Sequence, residues 1–371
     1  MLKRLVVQNQ DPVQVLNTFL ADLMRQGKVS SILAPMRVPS GDSVFPALVS
    51  SPEKMNADLF APVLLVSMAQ MVSQLTWECP VSSPIAVIMR NCEIRALVEL
   101  VKLKQADLKN LFIIGIDCPG TLRAGSFKEL SRSKSSYELY SALLNGDEKI
   151  KGEIRAACST CLEPIPVHCD ISIGLYGADS RKEILIDIHS DAGKALLEGS
   201  ALQEVSDAKK REQAVDAVIK RRAESDREFK AAYARIKGID EILKFYASCI
   251  NCQNCRRVCP ICYCQECFFS SDNLSQTADN LVRKSRARGA FKMPMDTLLF
   301  HTGRMNHMIL SCVECGLCEQ ACPMDIPLMQ VLKRVASDAQ AKFEYRAGRN
   351  PEEDIPLTQF KETEFTDVGE K

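Results

Sequence analysis

The sequence predicts an α/β N-terminal region followed by a mostly α-helical C-terminal region. Up to about residue 190, short β-branched segments alternate with amphipathic helical patterns. A highly charged helical stretch then covers 202–246, and helical patterns lie between the cysteines that follow. Because 371 residues exceed what one hydrophobic core needs, we expect separate domains. Their predicted bounds are 1–200, a charged helical linker over 201–246, 247–342 and a polar tail over 343–371.

The first elements follow from capping and turn residues. Asp11 and Pro12 are a helix N-cap and first-turn pair, and apolar residues then recur at helical spacing until Gly27, which predicts a helix over 12–26. The next β-branched runs predict two strands joined by a Pro-Ser-Gly-Asp turn, and a second helix is expected before Pro84. These three elements are predicted at 31–38, 44–50 and 68–76.

A strand, a helix and a second strand come next. Residues 85–89 and 111–116 are apolar and β-branched, and the segment between them has one apolar helical face. A βαβ crossover makes the two strands parallel, so Cys92 and Cys118 are expected at the same carboxyl edge of the sheet. Open α/β sheets bind their ligands along that edge.

Charge and hydropathy exclude two classes of partner. The 47 basic and 47 acidic residues give no net charge, so no positive field would attract a nucleic-acid backbone. The most apolar stretch, 59–72, is shorter than a membrane-spanning helix and contains a proline. No secretory signal follows Lys3 and Arg4. We therefore expect a cytoplasmic protein with no nucleic-acid partner and no direct membrane span.

Cysteine is the most informative residue type. The chain has 17 cysteines, and thiols in this number indicate metal ligands rather than disulfides in a reducing compartment. Two copies of the pattern C-x2-C-x2-C-x3-C-P begin at Cys249 and Cys312, and this spacing wraps a 4Fe-4S cube. The sequence therefore predicts a two-cluster ferredoxin domain over 247–342.

Each cluster in such a domain draws on both motifs. Three thiolates of one loop bind three irons, and the fourth cysteine of that motif, before the proline, binds the other cluster. Structural zinc is the alternative, but zinc sites usually read as paired CxxC motifs. The expected sets are Cys249, Cys252 and Cys255 with Cys322, and Cys312, Cys315 and Cys318 with Cys259.

Two features of this region have open interpretations. Cys262, Cys264 and Cys267 extend the first motif and are either buried thiols that pack beside the clusters or ligands of another metal. The basic run over 283–288 is either a solvated helix face or a docking site for an acidic redox partner.

A third metal site is predicted in the N-terminal region. Cys158 and Cys161 form a CxxC motif with no second CxxC nearby, and Cys92 and Cys118 are the cysteines left to complete four ligands. The βαβ geometry brings those two together. Cys169 and Cys79 are expected to be structural.

The N-terminal region resembles the beta-subunit family of deazaflavin (coenzyme F420) reducing hydrogenases and related formate dehydrogenases, over roughly residues 1–180. The resemblance is carried by three segments: Ala86-Val-Ile-Met-Arg-Asn-Cys-Glu93, Ile114-Gly-Ile-Asp-Cys118, and Ala157-Cys-Ser-Thr-Cys161 with the following Cys169-Asp-Ile-Ser-Ile-Gly174. Family members hold a 4Fe-4S cluster beside a flavin, so the resemblance implies that Cys92, Cys118, Cys158 and Cys161 bind that cluster.

This resemblance and the two ferredoxin motifs together imply an electron-transfer subunit with three 4Fe-4S clusters and FAD. The expected partners are the catalytic subunit of a formate dehydrogenase or hydrogenase, or a heterodisulfide-reductase-like subunit, and a two-electron carrier such as a deazaflavin coenzyme, NAD(P) or another flavoprotein. A flavin-free iron-sulfur wire and a cluster-stabilised assembly module are the alternatives. No phosphate-binding motif is present, and the residues that the resemblance leads us to expect at the flavin are Gly27, Lys28, Arg37, Ser67 and Arg90. Arg37 and Arg90 either hold the pyrophosphate or form surface ion pairs.

Overall fold

The structure is a computed structural model that describes residues 1–205, 208–234, 236–356 and 358–359. Its strands are β1 Leu2–Val6, β2 Ser31–Arg37, β3 Val44–Val49, β4 Ile85–Arg90, β5 Leu111–Ile116, β6 Ile171–Gly174, β7 Glu183–Ile188 and β8 Gln203–Glu204. The helices of the first half are α1 Pro12–Arg25, α2 Met68–Thr76, α3 Asn91–Lys102, α4 Ala124–Leu130, α5 Ser136–Asn145, α6 Glu148–Lys151, α7 Ala156–Ser159 and α8 Asp191–Leu196. Those of the second half are α9 Lys209–Tyr233, α10 Gly238–Phe245, α11 Asn254–Arg257, α12 Ala278–Arg288, α13 Thr297–Met308, α14 Leu317–Gln320 and α15 Met329–Lys342.

One mixed sheet of eight strands forms the first half, in the order β3-β2-β4-β5-β6-β7-β1-β8. The neighbours β2, β4, β5 and β6 are parallel, whereas β3, β7, β1 and β8 pair antiparallel. The predicted βαβ crossover is confirmed, because β4 and β5 pair in parallel with Arg90 opposite Ile116.

Strand β4 is buried along its whole length because both faces of the sheet are covered. Successive side chains of a strand point to opposite faces. Ala86 and Ile88 therefore pack into the core with α1, whereas Val87 and Met89 pack into a second core. That second core continues into the C-terminal half through the cysteine loops and α15. The cysteine-rich region thus packs on one face of the sheet.

The C-terminal half agrees only in part with the expectation of a mostly α-helical domain. Every regular element that the structure describes over 247–342 is a helix, but long irregular segments separate these helices. Helices α12 and α13 agree with the predicted patterns. No helix in the described part of the chain is both long and apolar enough to cross a membrane.

Three segments differ from their expected character. Residues 120–152, which carry no clear sequence pattern, form α4, α5 and α6. Helix α9, expected as a linker, buries Val215 and Val218 against the first half of the chain. The start of the expected polar tail packs against α3, with Tyr345, Ala347 and Ile355 buried.

The segment Tyr345–Arg349, here called the strap, is fastened by one buried carboxylate. Glu99 of α3 accepts hydrogen bonds from the Tyr345 hydroxyl at 2.5 Å and from the Gly348 backbone amide at 2.7 Å. The Arg95 guanidinium donates two more bonds to the carbonyl of Ala347, at 3.0 and 2.7 Å. The strap therefore ties the C-terminal half to the first half.

Candidate metal centres

The carboxyl edge of the sheet brings the first two predicted ligands together. Strand β4 ends at Arg90 and leads to Cys92 in the first turn of α3, and β5 ends at Ile116 and leads to Cys118. The CxxC motif approaches the same edge, because the Cys118 amide donates to the carbonyl of Pro164 and the Arg155 amide donates to that of Thr121. Cys92, Cys118, Cys158 and Cys161 line one cavity of about 530 Å³.

Burial and neighbouring charges act in opposite directions on these thiols. Burial raises the pKa of Cys118 to about 11, against the opposing charge of Arg90. Burial, with the carboxylate of Glu93, raises the pKa of Cys92 well above its usual range. Burial acts on Cys158 too, but Arg155 and hydrogen bonds from Thr121 outweigh it and lower the pKa of that thiol. A cysteine binds metal as the thiolate. The cations beside these sulfurs stabilise the thiolate form and therefore favour metal ligation.

Three buried arginines surround this set of cysteines. Arg155 places a guanidinium nitrogen 3.4 Å from the Cys158 sulfur, and its Nη1 has no hydrogen-bond partner. Arg222 donates hydrogen bonds to the backbone carbonyls of Cys118 and Cys161, at 3.2 and 3.4 Å. Arg90 lies close enough to Cys92 and Cys118 for their thiolates to stabilise its positive charge. A buried guanidinium with an unpartnered nitrogen favours a nearby anion, and four thiolates on an iron cube carry negative charge. The residues present therefore fit a 4Fe-4S cluster.

An ion pair holds helix α9 at this edge. The Arg211 guanidinium bonds both carboxylate oxygens of Asp117, at 2.5 and 2.9 Å, and Asp117 is completely buried. The same carboxylate accepts hydrogen bonds from the backbone amides of Leu175 and Tyr176. Asp117 directly precedes Cys118, so this network determines where that cysteine leaves the sheet.

The first ferredoxin motif is brought together as expected. Cys249, Cys252, Cys255 and Cys322 line one small and largely apolar cavity, together with Phe300 and His301. His301 places its ring nitrogen 3.3 Å from the Cys249 sulfur and stacks on the Tyr246 ring at 3.9 Å between centroids. Burial lowers the pKa of His301 to about 4, so the imidazole is neutral near neutral pH.

The second set is also brought together. Cys259 lies close enough to Cys312, Cys315 and Cys318 to affect the ionisation of all three. Hydrogen bonding from Cys262 lowers the pKa of Cys259 to about 5. The predicted exchange of the fourth cysteine between the motifs agrees with this placement, and the ligand roles themselves stay predictions.

The two motif loops repeat the same backbone conformation. The second and fourth residues after the first cysteine adopt positive φ in both loops: Asn251 and Gln253 in one, Glu314 and Gly316 in the other. A one-turn helix follows in each, α11 and α14. The repeated conformation agrees with the prediction that each loop supplies three thiolates to one cube.

Arg304 lies between the two sets and was not identified from the sequence. Its side chain is 3 % exposed, and its Nε and Nη2 have no hydrogen-bond partner. The neighbouring thiols are those of Cys255, from the first set, and of Cys259 and Cys318, from the second. The guanidinium is therefore placed to balance the charge of both predicted clusters.

The remaining cysteines occupy different settings. Cys262 hydrogen-bonds to Cys259, Cys264 and Cys79 are exposed, and Cys169 is buried beside Gly115. Among the residues that the structure describes, no group of three or more His, Cys, Asp and Glu side chains is arranged to hold a single metal ion. In a 4Fe-4S cube each thiolate binds a different iron, so its sulfurs need not meet at one point.

The residues expected to contact the flavin are divided between the two edges of the sheet, with Arg37 and Arg90 at the carboxyl ends of the neighbouring strands β2 and β4. Gly27 and Lys28 precede β2 at the amino edge of the parallel strands, where Lys28 donates to the carbonyl of Ala195 at 3.0 Å. Arg37 pairs with Asp58 at 2.6 Å. Ser67 is buried before α2, and Arg90 donates to the carbonyl of Ala61. None of the five lines the 530 Å³ cavity.

That cavity has further charged residues that the sequence did not reveal. It extends beyond the cysteines to α9, α15 and the strap, with cations that include Arg95, Arg346 and Arg349. The ion pair between Lys333 and Asp226, at 2.7 Å, closes one side. Two cations stand close in sequence to a predicted ligand, which could have indicated them: Arg95, three residues after Cys92, and Arg155, three residues before Cys158 but outside the cavity lining.

Two family models match the chain. Residues 83–214 match the C-terminal region of the beta subunit of coenzyme F420 hydrogenase/dehydrogenase, a range that includes Cys92, Cys118, Cys158 and Cys161. Residues 246–326 match the 4Fe-4S dicluster domain, which contains all eight cysteines of the two motifs. This second match agrees with the predicted cluster type.

Two curated relatives are similar over most of their length. The F420-dependent formate dehydrogenase subunit beta of Methanocaldococcus jannaschii is 28 % identical over 284 residues, which cover 68 % of this chain and 70 % of the relative. The F420-dependent formate dehydrogenase 1 subunit beta of Methanococcus maripaludis is 27 % identical over 307 residues, with coverages of 72 % and 74 %. A chain of the F420-reducing NiFe hydrogenase complex from Methanosarcina barkeri is a distant structural match, with a TM-score of 0.46 and 11 % identity over 65 % of this chain and 94 % of that one.

Proposed function

This chain belongs to the beta-subunit family of coenzyme F420 hydrogenases and dehydrogenases, and we propose that it transfers electrons between a two-electron carrier, at a bound FAD, and three one-electron 4Fe-4S clusters. Membership makes it an electron-transfer subunit of an oxidoreductase complex with a 4Fe-4S domain. The observation that supports three clusters is the position of Cys92, Cys118, Cys158 and Cys161 around one cavity at the sheet edge.

The protein's own part in this proposal is to hold thiolates and balance charge. Bound 4Fe-4S clusters exchange single electrons, and a flavin exchanges either one or two. Arg90, Arg155 and Arg222 place positive charge beside the cavity thiols, and Arg304 does so between the two ferredoxin sets. The low-dielectric setting strengthens each of these interactions.

The proposed partners follow from the relatives. Both are named as beta subunits of F420-dependent formate dehydrogenases, which favours a deazaflavin coenzyme as the two-electron carrier over NAD(P) or another flavoprotein. A formate dehydrogenase catalytic subunit is accordingly the first candidate for the partner, ahead of a hydrogenase or a heterodisulfide-reductase-like subunit.

A flavin-free wire is the second candidate, and one observation favours it. The residues predicted to contact FAD lie at two different edges of the sheet and bond to other parts of the chain. The five residues therefore do not form one FAD site. The space that we propose for a flavin is the part of the 530 Å³ cavity between the four cysteines and the strap.

Composition and reduction separate the candidates. The protein is purified without oxygen, its iron and extracted flavin are quantified, and dithionite is added while paramagnetic signals are recorded. The proposal predicts about 12 irons per chain, one FAD, and clusters that reduce. The same iron without flavin would support the wire, and clusters that stay oxidised would indicate an assembly module and contradict electron transfer.

A further inference from the structure

The three sets of cysteines follow one another across the molecule. Cys315 of the second set lines the same cavity as the cysteines at the sheet edge. The second set also lies beside the first set. Cys318 is close enough to Cys255 to affect the ionisation of that thiol, and helices α11 and α14 pack together. The set of Cys312, Cys315, Cys318 and Cys259 is therefore central, and that of Cys249, Cys252, Cys255 and Cys322 is at the far end from the cavity.

The far set reaches the surface through apolar residues. Cys252 is exposed, and its neighbours Ile250 and Met324 are 48 % and 41 % exposed although they line the same small cavity. Exposed apolar side chains of this size at a redox site favour contact with another protein. This is the point where the predicted cluster is nearest to solvent.

A basic helix lies beside this end of the molecule. Arg283, Lys284, Arg286 and Arg288 belong to α12, a helix with no buried residue. The segment that follows α12 contacts the far set, because Asn251 donates to the carbonyl of Met295 and Lys292 affects the ionisation of Cys249. Lys284 and Arg288 both lie over the Phe291 ring of that segment.

These four cations have no acidic partner within the described part of the chain. Arg283 bonds Asn280, and Lys284 bonds Gln276, both of which are neutral. No ion pair of the described residues includes any of the four, although lysines and arginines elsewhere pair frequently with carboxylates. An uncompensated cationic face beside an apolar patch is complementary to an acidic surface.

We propose that α12, Ile250 and Met324 form the docking surface for an acidic redox protein, which exchanges electrons with the chain at the Cys249, Cys252, Cys255 and Cys322 site. The apolar patch would contact the partner's redox centre, and α12 would pair with carboxylates around it. The proposal rests on the proposed function and adds to it the position and charge of the partner. Of the two interpretations of the basic residues 283–288, the proposal favours a docking site over a solvated helix face.

Binding, rather than turnover, tests this surface. The holoprotein is titrated with a purified acidic plant-type ferredoxin, and the dissociation constant is measured by calorimetry at low and at high salt. The variant Arg283→Gln/Arg286→Gln/Arg288→Gln removes three exposed charges, and we expect about tenfold weaker binding at low salt and a flatter salt dependence. Met324→Glu should weaken binding at both salt concentrations because it places a charge in the apolar patch.

The matched control removes three exposed cations from other parts of the chain: Arg132→Gln, Lys149→Gln and Lys220→Gln. This control should bind like the wild type. No measurable binding by the wild type, or equal weakening in both triple variants, would overturn the docking surface while leaving electron transfer intact. Clusters that dithionite does not reduce would overturn both proposals, and the iron content of each variant shows whether its sites are loaded.

Discussion

Gly316, between two cysteines of the second ferredoxin motif, packs directly on Ala157, the residue before Cys158 of the CxxC motif. A Cβ atom at position 316 would overlap the Ala157 Cβ. The backbone at Gly316 also has a φ of +72°, which L-residues rarely adopt. Two motifs about 150 residues apart in sequence are thereby in contact, and Gly316 is the residue that permits it.

Substitution of Gly316 by alanine should separate these two loops. We expect Gly316→Ala to lower the free energy of unfolding by about 2 to 4 kcal/mol, because overpacking adds to the cost of a left-handed backbone. Gly41→Ala is the matched control, with a φ of +74° and no atom within 4 Å of the added Cβ. Anaerobic urea unfolding followed by circular dichroism measures both. Equal losses in the two variants would show that the contact with Ala157 contributes nothing.

Removal of the Arg304 charge should make both ferredoxin clusters harder to reduce. Reduction adds negative charge to a cluster, and a buried cation stabilises the reduced form. We therefore expect more negative reduction potentials in Arg304→Met, most strongly for the cluster bound through Cys259 and Cys318. A redox titration monitored by paramagnetic resonance measures the shift.

Arg257→Met is the control for this prediction, because it removes an exposed cation within the first motif. Solvent screens that charge, so the potentials should hardly move. Unchanged potentials in an Arg304→Met protein with full iron content would mean that the guanidinium has no electrostatic role.

Loss of Arg211 should destabilise the sheet edge. Arg211→Gln leaves the Asp117 carboxylate buried without its cation, which should cost about 3 to 5 kcal/mol of unfolding free energy. Asp117→Asn in the same chain should restore part of that loss, because no uncompensated charge remains. Lys210→Gln, at an exposed neighbouring position, is the control. A loss in Arg211→Gln no larger than in the control would contradict the account of how Cys118 is positioned.

Much of the fold follows from local sequence signals. Helix α1 begins and ends near its predicted bounds because the Asp11 side chain accepts the Gln14 amide and Gly27 adopts positive φ after the helix. The parallel pair β4 and β5 is apolar on both faces and was predictable for that reason. Strand β1 was missed because its partner, β7, is about 180 residues away, and a pairing of that range has no local signal.

The candidate metal centres likewise combine residues that local sequence patterns predict with residues that only long-range contacts bring into place. Cysteines are rare and their spacing has a chemical meaning, so the sequence could predict which cysteines lie together, and their roles as ligands stay predictions. Arginines are common and act through long-range contacts, so Arg222 and Arg304 could not be predicted, whereas Arg155 lies only three residues before Cys158. The predicted flavin residues had no phosphate-binding motif behind them, and the structure places Lys28 and Arg37 apart.

Iron content tests the central claim most directly. Cys118→Ser should lower the iron of anaerobically purified protein by about four of about 12 atoms per chain, since one cube holds four irons. Cys169→Ser removes a nearby buried thiol that is not among the predicted ligands and should leave the iron unchanged. Full iron content in Cys118→Ser, with the ferredoxin clusters intact, would contradict a third cluster at the sheet edge.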